Sequence, residues 1–202
     1  GLLNAIRNRS VDESQIARLN TRLQPDYTPP DGEFTITLTS TNDLAAARNR
    51  EKLAALPGRT RRYEGLIEGE FERSSLPTDE ALELKPGAQV MLLTNDRQGR
   101  YVNGTIGRVA KIHKIRDADD VVTVELPDGG EVDLSPNTWE LFRFRYEAEA
   151  DRIESEPVGS FTQYPLRLAW AVTIHKSQGK TFDRVVIDIG RGAFAHGQVY
   201  VA

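Results

Sequence analysis

Apolar residues recur at close to helical spacing in two segments near the start of the chain. Between Leu2 and Leu23 this spacing is interrupted once, which predicts a pair of packing helices. After a turn-rich break at residues 25–32, Phe34 to Leu38 alternates as a strand does, and Leu44 to Leu56 has the pattern of a helix that stops at Pro57-Gly58. The chain is therefore expected to begin with two helices, a strand and a third helix.

From Tyr101 to about Tyr146 the pattern changes to that of short β-strands. Residues 109–115 alternate, residues 121–126 are rich in β-branched side chains, and Asp128-Gly129 has the composition of a hairpin turn. Five short strands in fewer than fifty residues predict a small closed barrel of the SH3-like type.

Aromatic and basic residues alternate at the end of this β-rich part, in the run Phe142-Arg143-Phe144-Arg145-Tyr146. Exposed aromatic rings beside arginines are typical of a surface on which the bases of single-stranded nucleic acid stack. The alternative is an edge strand whose aromatic rings are buried. The pattern leaves both interpretations open.

A polar cluster lies between two apolar runs in the last part of the chain. Leu166 to Ala171 is apolar apart from Arg167, and Thr173 to Gln178 is polar except for one isoleucine. Gly179 ends the cluster, and Val185 to Ile187 has the composition of a buried strand. This order predicts strand, short helix, strand.

The polar cluster has the chemistry of a phosphate-binding turn. If residues 170–178 are helical, Trp170 and Ile174 share one face, and a second face is left for polar side chains, which are Thr173, Lys176, Ser177 and Lys180. Hydroxyl, imidazole and ammonium groups beside a glycine suit phosphate oxygens better than an acid–base reaction.

Composition and charge limit the classes of protein that remain. The chain has 202 residues, no cysteine and a net charge of −4, so disulfides and thiolate metal sites are excluded and any nucleic-acid contact must be local. An apolar run of the length that spans a membrane, about 18 residues, is absent from the sequence, and a cytoplasmic location is predicted.

Several blocks of sequence together resemble the superfamily-one DNA helicases of the RecD/Pif type. AWAVTIHKSQGKTFDRVVID at residues 169–188 is similar to motif V of that family, and GQVYVA at 197–202 is similar to the opening of motif VI. LTSTN at 38–42 agrees in order and spacing, as do PGAQVMLL at 86–93 and VNGTIG at 102–107.

The resemblance implies an α/β fold: a RecA-like parallel-sheet domain, called 2A, with a small SH3-like β-barrel, called 2B, inserted in it. The implied limits are a helical tail of a preceding ATPase domain at 1–24, the first part of domain 2A at 25–100, domain 2B and its linker at 101–154, and the second part of 2A at 155–202.

The resemblance also implies two groups of site residues. The DNA-binding group follows the backbone of a single strand and comprises Thr41, Asn42, Asn103, Thr173, His175, Lys176 and Ser177. For Thr41 and Asn42 the residues themselves allow a second role, as capping residues of the following helix. The nucleotide-binding group comprises Gln178, Gly179 and Lys180. No catalytic residue and no metal ligand is assigned to this chain.

The sequence contains neither Walker motif, and Gly179-Lys180-Thr181 lacks the first glycine of a phosphate-binding P-loop. The chain also ends before the arginine that the family carries in motif VI. It is therefore expected to be a C-terminal piece of a 5′–3′ helicase that uses ATP and Mg²⁺, to bind neither alone, and to need the preceding RecA-like domain for ATP hydrolysis. The rival hypothesis is a non-enzymatic module that binds nucleic acid or protein through the barrel.

Overall fold

The chain folds into two units, and the sequence of the second interrupts that of the first. In the computed structural model, which describes residues 1–30, 32–147, 151–190 and 192, the first unit comprises residues up to Arg48 and from Trp170 onward. The second unit comprises Asn49–Ala169. The assignment of residues 25–100 and 155–202 to domain 2A, and of 101–154 to domain 2B, stays a prediction.

Two short helices begin the first unit, α1 at Leu2–Arg7 and α2 at Glu13–Asn20. A capping box starts α2: the Asp12 carboxylate accepts from the backbone N–H of Gln15 at 2.8 Å, and the Gln15 side chain accepts from the N–H of Asp12 at 3.2 Å. None of the residues in either helix is buried. The sequence correctly predicts the two helices but not this exposure, because it expects them to pack.

A three-stranded parallel sheet forms the centre of the first unit. Its strands are β1 at Ile36–Thr39, β12 at Ala171–Thr173 and β13 at Val185–Asp188, in the order β12-β1-β13. Helix α3 at Asn42–Ala55 follows β1, and helix α4 at Ile174–Ser177 follows β12. All four residues of β1 are buried, as expected for the central strand of a parallel sheet. The parallel sheet of the predicted α/β fold is therefore present.

The second unit contains the C-terminal half of helix α3, antiparallel strands and one 3₁₀ turn, Arg73–Ser75. The strands are β2 Arg61–Glu64, β3 Leu66–Gly69, β4 Ala81–Leu84, β5 Gln89–Leu92, β6 Ile106–His113, β7 Val121–Glu125, β8 Glu131–Leu134, β9 Asn137–Glu147, β10 Arg152–Gln163 and β11 Leu166–Leu168. They form a five-stranded sheet in the order β11-β5-β6-β7-β8, a three-stranded sheet β3-β10-β9 and a two-stranded sheet β2-β4.

The predicted closed barrel is not found among the described residues, since none of these sheets closes on itself. The sequence-based prediction places all strands up to about Tyr146 in one barrel. In the structure β9 is not part of the five-stranded sheet but pairs with β10, for example Trp139 with Phe161. That pairing joins eleven positions along two long strands, which explains why β9 does not return to close the sheet.

Aromatic packing anchors β9 and β10 in the second unit. The fully buried ring of Phe161 stacks on Trp139 with centroids 5.8 Å apart and contacts Phe71 at 6.0 Å. A Cβ atom added to Gly65 would lie 2.5 Å from the Phe161 ring, so only glycine fits there. The pairing register of these strands is thus fixed by side-chain packing as well as by hydrogen bonds.

Candidate nucleic-acid interface

A groove of about 480 Å³ opens at one edge of the parallel sheet in the first unit. Because β1 and β12 are parallel neighbours, their carboxyl ends meet at the same edge, which is where open α/β sheets bind ligands. The groove is lined by the residues that follow these two strands, namely Ser40, Thr41, Asn42, Asp43, Thr173, His175 and Lys176. The structure thus brings together five of the seven predicted DNA-binding residues.

Two buried hydroxyl groups hold the end of β1 in place. The Thr39 hydroxyl donates to the carbonyl oxygen of Thr41 at 3.0 Å and lies 3.4 Å from that of Val172 on β12. The Ser40 hydroxyl donates to the carbonyl oxygen of Ile189, just beyond β13, at 3.2 Å. Both neighbouring strands therefore help to fix the first wall of the groove.

Thr41 caps helix α3, because its hydroxyl oxygen accepts from the backbone N–H of Leu44 at 3.3 Å. Asn42 and Asp43 form the exposed first turn of α3, whose amide groups carry the positive end of the helix dipole. The capping role considered for Thr41 is thus present, and it leaves the Asn42 side chain exposed at the groove. The Asp43 carboxylate is the one acidic group among the lining residues.

Helix α4 is shorter than the helix predicted over residues 170–178. Ala171 to Thr173 pair with β1 instead, and Thr173 caps the single turn of α4 by accepting from the N–H of Lys176 at 3.4 Å. His175 and Lys176 are exposed, whereas Ile174 is buried. The second wall of the groove is therefore a strand end followed by one helical turn.

Ser177 does not share the exposed face that the helical pattern predicts for it. Its side chain is buried and its hydroxyl donates to the carbonyl oxygen of Ile174 at 2.7 Å. Thr173 is also largely buried, although it contributes to the groove lining. Of the four polar groups predicted for one face, Lys176 is exposed, Lys180 is half-buried, and Thr173 and Ser177 are buried. His175, which is not one of the four, is also exposed.

The predicted nucleotide-binding residues follow directly after α4, outside the groove lining. Gln178 and Gly179 are exposed and Lys180 is half-buried. Gly179 has φ +73°, and a Cβ atom there would meet no heavy atom within 4 Å, so its backbone faces open space. Nucleotide binding by these three residues stays a prediction.

Asn103 lies in the second unit, in the loop before β6. Its backbone N–H donates to the side-chain oxygen of Asn95 at 2.8 Å. The structure does not place it among the residues that line the groove. The predicted start of motif VI at 197–202 lies outside the described residues.

The sequence reasoning missed three residues that shape the groove, which are Thr39, Ser40 and Asp43. Ser40 and Asp43 line the groove directly. Thr39 does not line it, but its hydroxyl donates to the carbonyl oxygen of Thr41, which does. The sequence does indicate these residues, because hydroxyl and carboxylate side chains lie together at the C-terminal end of a buried strand. Their hydrogen bonds to Val172 and Ile189 depend on distant segments and could not be read from local sequence.

The alternating aromatic and basic run at residues 142–146 lies on β9 and pairs with β10. The two strands form a ribbon with aromatic rings on one face and arginines on the other. Phe142, Phe144 and Tyr146 are 42%, 69% and 65% exposed, so the alternative of buried aromatic rings is wrong. Arg143 and Arg145, which alternate with them, each lie 3.6 Å from Glu156, and Arg143 also pairs with Glu70. The arginines thus have carboxylate partners, and base stacking on the aromatic face stays a prediction.

Two structural features are absent from the described part of the chain. No helix in it is long and apolar enough to cross a membrane. The same part contains no cluster of three or more histidine or acidic side chains arranged to hold a metal ion.

Comparison with known proteins identifies what this fold is similar to. No protein-family model matches the chain. The chain is 37% identical over 181 residues to the human ATP-dependent DNA helicase PIF1, covering 85% of this chain and 26% of that protein. It is 36% identical over 159 residues to the Pif1 helicase of Bdellovibrio bacteriovorus, covering 76% of this chain and 33% of the relative.

Solved structures agree with these relatives. Unliganded Pif1 from a Bacteroides species superposes with a TM-score of 0.82 at 34% identity, covering 99% of this chain and 45% of that one. The same protein bound to single-stranded DNA gives a TM-score of 0.72, at 34% identity, over 100% of this chain and 44% of that one.

The mixed α/β fold is therefore that of a superfamily-one DNA helicase. Within that class the chain belongs to the Pif1 family. It spans between about a quarter and a half of the length of the relatives it matches.

Proposed function

We propose that this chain is the part of a Pif1-type, ATP-dependent DNA helicase that grips the backbone of single-stranded DNA. The observation that carries the proposal is the groove itself, in which two segments far apart in sequence, Ser40 to Asp43 and Thr173 to Lys176, meet at adjacent strand ends. The solved Pif1 relative bound to single-stranded DNA supports the same ligand.

The charges in the groove suit a phosphate backbone. The Lys176 ammonium and the His175 imidazole lie on one wall, and the Asn42 amide with the first turn of α3 lies on the other. Charged hydrogen bonds to phosphate are the strong ones, and helix N-termini favour anions. Because the whole chain carries −4, binding depends on these local donors and not on bulk attraction.

The predicted DNA-binding residues divide into two roles in this proposal. Asn42, His175 and Lys176 contact phosphate, while Thr41, Thr173 and Ser177 shape the turns that present them, because their hydroxyls are used in local hydrogen bonds. Asn103 keeps a proposed DNA contact on family resemblance alone.

The nucleotide part of the proposal concerns residues 178–180. Gln178, Gly179 and Lys180 would supply one wall of an ATP site whose Walker motifs belong to another domain, and ATP with Mg²⁺ would supply phosphoryl-transfer energy there when bound. A Pif1 structure with ADP-AlF4 supports nucleotide use in the family. Translocation from 5′ to 3′, an inactive isolated chain and an antiparallel unit equivalent to domain 2B are proposed on the same resemblance.

Binding of a dT oligonucleotide at several salt concentrations tests the proposal. For Lys176→Ala we expect Kd to rise by roughly 5- to 150-fold, the equivalent of about 1–3 kcal/mol for a charged hydrogen bond. The slope of log K against log salt should become shallower by roughly 0.7, the value for one lost phosphate contact on a single strand. Lys52→Ala, at an exposed position of α3 outside the groove, is the matched control and should bind as the parent does.

Two outcomes would overturn the proposal. Equal affinities for Lys176→Ala, Lys52→Ala and the parent would remove the groove from DNA binding. Absence of binding at low salt, together with a stable protein partner, would favour the rival hypothesis of a protein-interaction module.

A further inference from the structure

A second, strongly basic groove lies in the antiparallel unit. Its volume is about 930 Å³, and its lining residues come from the loop after α3, the start of β2, the turn before β5 and the end of β6. Four of them are cationic, namely Arg59, Arg61, Arg62 and Lys114, and none is acidic. In a chain with a net charge of −4, this is a local reversal of sign.

Two of these cations are held by carboxylates that lie outside the groove lining. Arg61 lies 3.6 Å from the Asp120 carboxylate, which also accepts from the Tyr63 hydroxyl at 2.9 Å. Arg62 pairs with Glu64 at 2.6 Å and lies opposite Glu83 in the β2–β4 register. These pairs orient the guanidinium groups and neutralise part of their charge.

The other two cations, Arg59 and Lys114, are exposed and have no ion pair with any residue in the described ranges. They approach the groove from different segments, the loop after α3 and the chain just beyond β6. The net positive charge of the groove is therefore concentrated on these two side chains.

The backbone around the groove is firmly built. The buried Lys85 side chain donates its ammonium N–H to the carbonyl oxygen of Leu56 at 2.8 Å, which satisfies the C-terminal end of α3 next to Pro57. The N–H of Gly87 donates to Val109 on β6 at 2.7 Å. The loop that carries Arg59 is thus tied to the turn before β5, and that turn is tied to β6.

We infer that this groove is a second nucleic-acid contact surface, which binds backbone phosphates through Arg59 and Lys114, with Arg61 and Arg62 behind them. An open groove with cations on several segments suits a row of phosphates better than one small anion. The inference rests on the proposed function only for the class of ligand. The charges and the groove belong wholly to the second unit.

Salt-dependent binding of the full chain to a long dT oligonucleotide and to a DNA duplex tests the inference. The double variant Arg59→Ala/Lys114→Ala should bind at least one probe several-fold more weakly, with a slope reduced by roughly 0.7 per lost contact for the single strand and 0.9 for the duplex. Arg97→Ala/Arg116→Ala removes the same charge from exposed positions outside the groove and should bind as the parent does.

A site-specific crosslink provides a readout that overall charge does not affect. Because the chain has no cysteine, Thr60→Cys in the groove lining can carry a unique photocrosslinker. We expect DNA crosslinks from this position, and few from a matched Ser74→Cys protein. Inorganic phosphate at equal ionic strength should not abolish the crosslink, whereas its abolition would identify a small-anion site and overturn the inference.

The outcomes separate the two proposals. Weaker binding by Lys176→Ala alone would overturn this inference and leave the first groove standing. Weaker binding by Arg59→Ala/Lys114→Ala alone would support this inference and overturn the proposal for the first groove. Unchanged binding by both variants would remove both.

Discussion

Thr39 and Thr173 are Cα partners on the neighbouring parallel strands β1 and β12, so the two segments that line the candidate DNA groove leave the sheet side by side. The Thr39 hydroxyl strengthens this relationship, because it donates to the Thr41 carbonyl and lies beside that of Val172. Thr39 itself is buried and does not line the groove. It is a positioning residue for the groups that do.

Thr39→Val removes this hydroxyl while keeping the shape of the side chain. The free energy of unfolding should fall by about 0.5–1.5 kcal/mol, the usual net value of one buried hydrogen bond. Affinity for a dT oligonucleotide should fall as well, because the two walls of the groove lose their link. Chemical denaturation and binding titrations measure the two effects. Thr39→Ser retains the hydroxyl and should recover most of the affinity, and a valine variant that binds like the parent would refute the positioning role.

Ser177 and Lys176 should separate stability from DNA affinity. Ser177→Ala loses the hydrogen bond to Ile174, so the free energy of unfolding should drop by about 0.5–1.5 kcal/mol while the salt slope of DNA binding stays as in the parent. Lys176→Ala should show the opposite result, with a changed slope and nearly unchanged stability. A reduced salt slope for Ser177→Ala would show that this residue affects phosphate contacts after all.

Two phenols, the buried Tyr164 and the half-buried Tyr63, make the second unit sensitive to alkaline pH. Burial and the nearby Asp119 and Asp120 carboxylates raise the pKa of Tyr164 to about 12, and burial with the Asp120 hydrogen bond also raises the pKa of Tyr63. A raised pKa means that the stabilisation is complete below the unfolded-state pKa, about 10, and is lost as pH rises through the folded-state value. Absorbance titration should therefore show late phenol ionisation, and stability should decline over the same range. Tyr164→Phe should make that decline smaller, whereas an unchanged decline would assign it to other groups.

Phe161 should contribute far more to stability than Phe144, an exposed phenylalanine of the same sheet. Phe161→Ala removes a fully buried ring packed between Trp139 and Phe71, and a loss of about 3–5 kcal/mol in unfolding free energy is expected. Phe144→Ala is the matched control, since its ring is 69% exposed, and it should be nearly neutral. Similar losses in the two variants, measured by denaturant unfolding, would contradict the described packing.

The sequence predicts best where the signals are local. Phe34 to Leu38 and Leu44 to Leu56 overlap β1 and α3, because strand alternation and a helix with clear ends do not depend on distant contacts. The sequence-based grouping of Thr41 and Asn42 with residues 173–176 agrees with the structure. These residues lie together because the carboxyl ends of the parallel strands β1 and β12 meet at one edge of the sheet. Whether these residues bind DNA stays a prediction.

Long-range pairing explains two of the differences between the sequence-based prediction and the structure, the extent of α4 and the open sheet. The helical pattern considered over residues 170–178 includes Ala171 to Thr173, but these residues form hydrogen bonds with β1, which precedes them by more than 130 residues. The five-stranded sheet does not close into a barrel, because β9 pairs with β10 over eleven positions instead. Neither strand pairing can be predicted from a short stretch of sequence, because a segment of three residues fits a helical and a strand pattern equally well.

The discontinuous first unit has a consequence for biosynthesis. Its middle strand is translated early, but both neighbours of that strand come from the far end of the chain, after Ala169. A ribosome delivers the whole antiparallel unit before either neighbour emerges, and domains generally fold as units in the order of their synthesis. The edge that carries the candidate groove is thus expected to assemble only after the antiparallel unit has been synthesised.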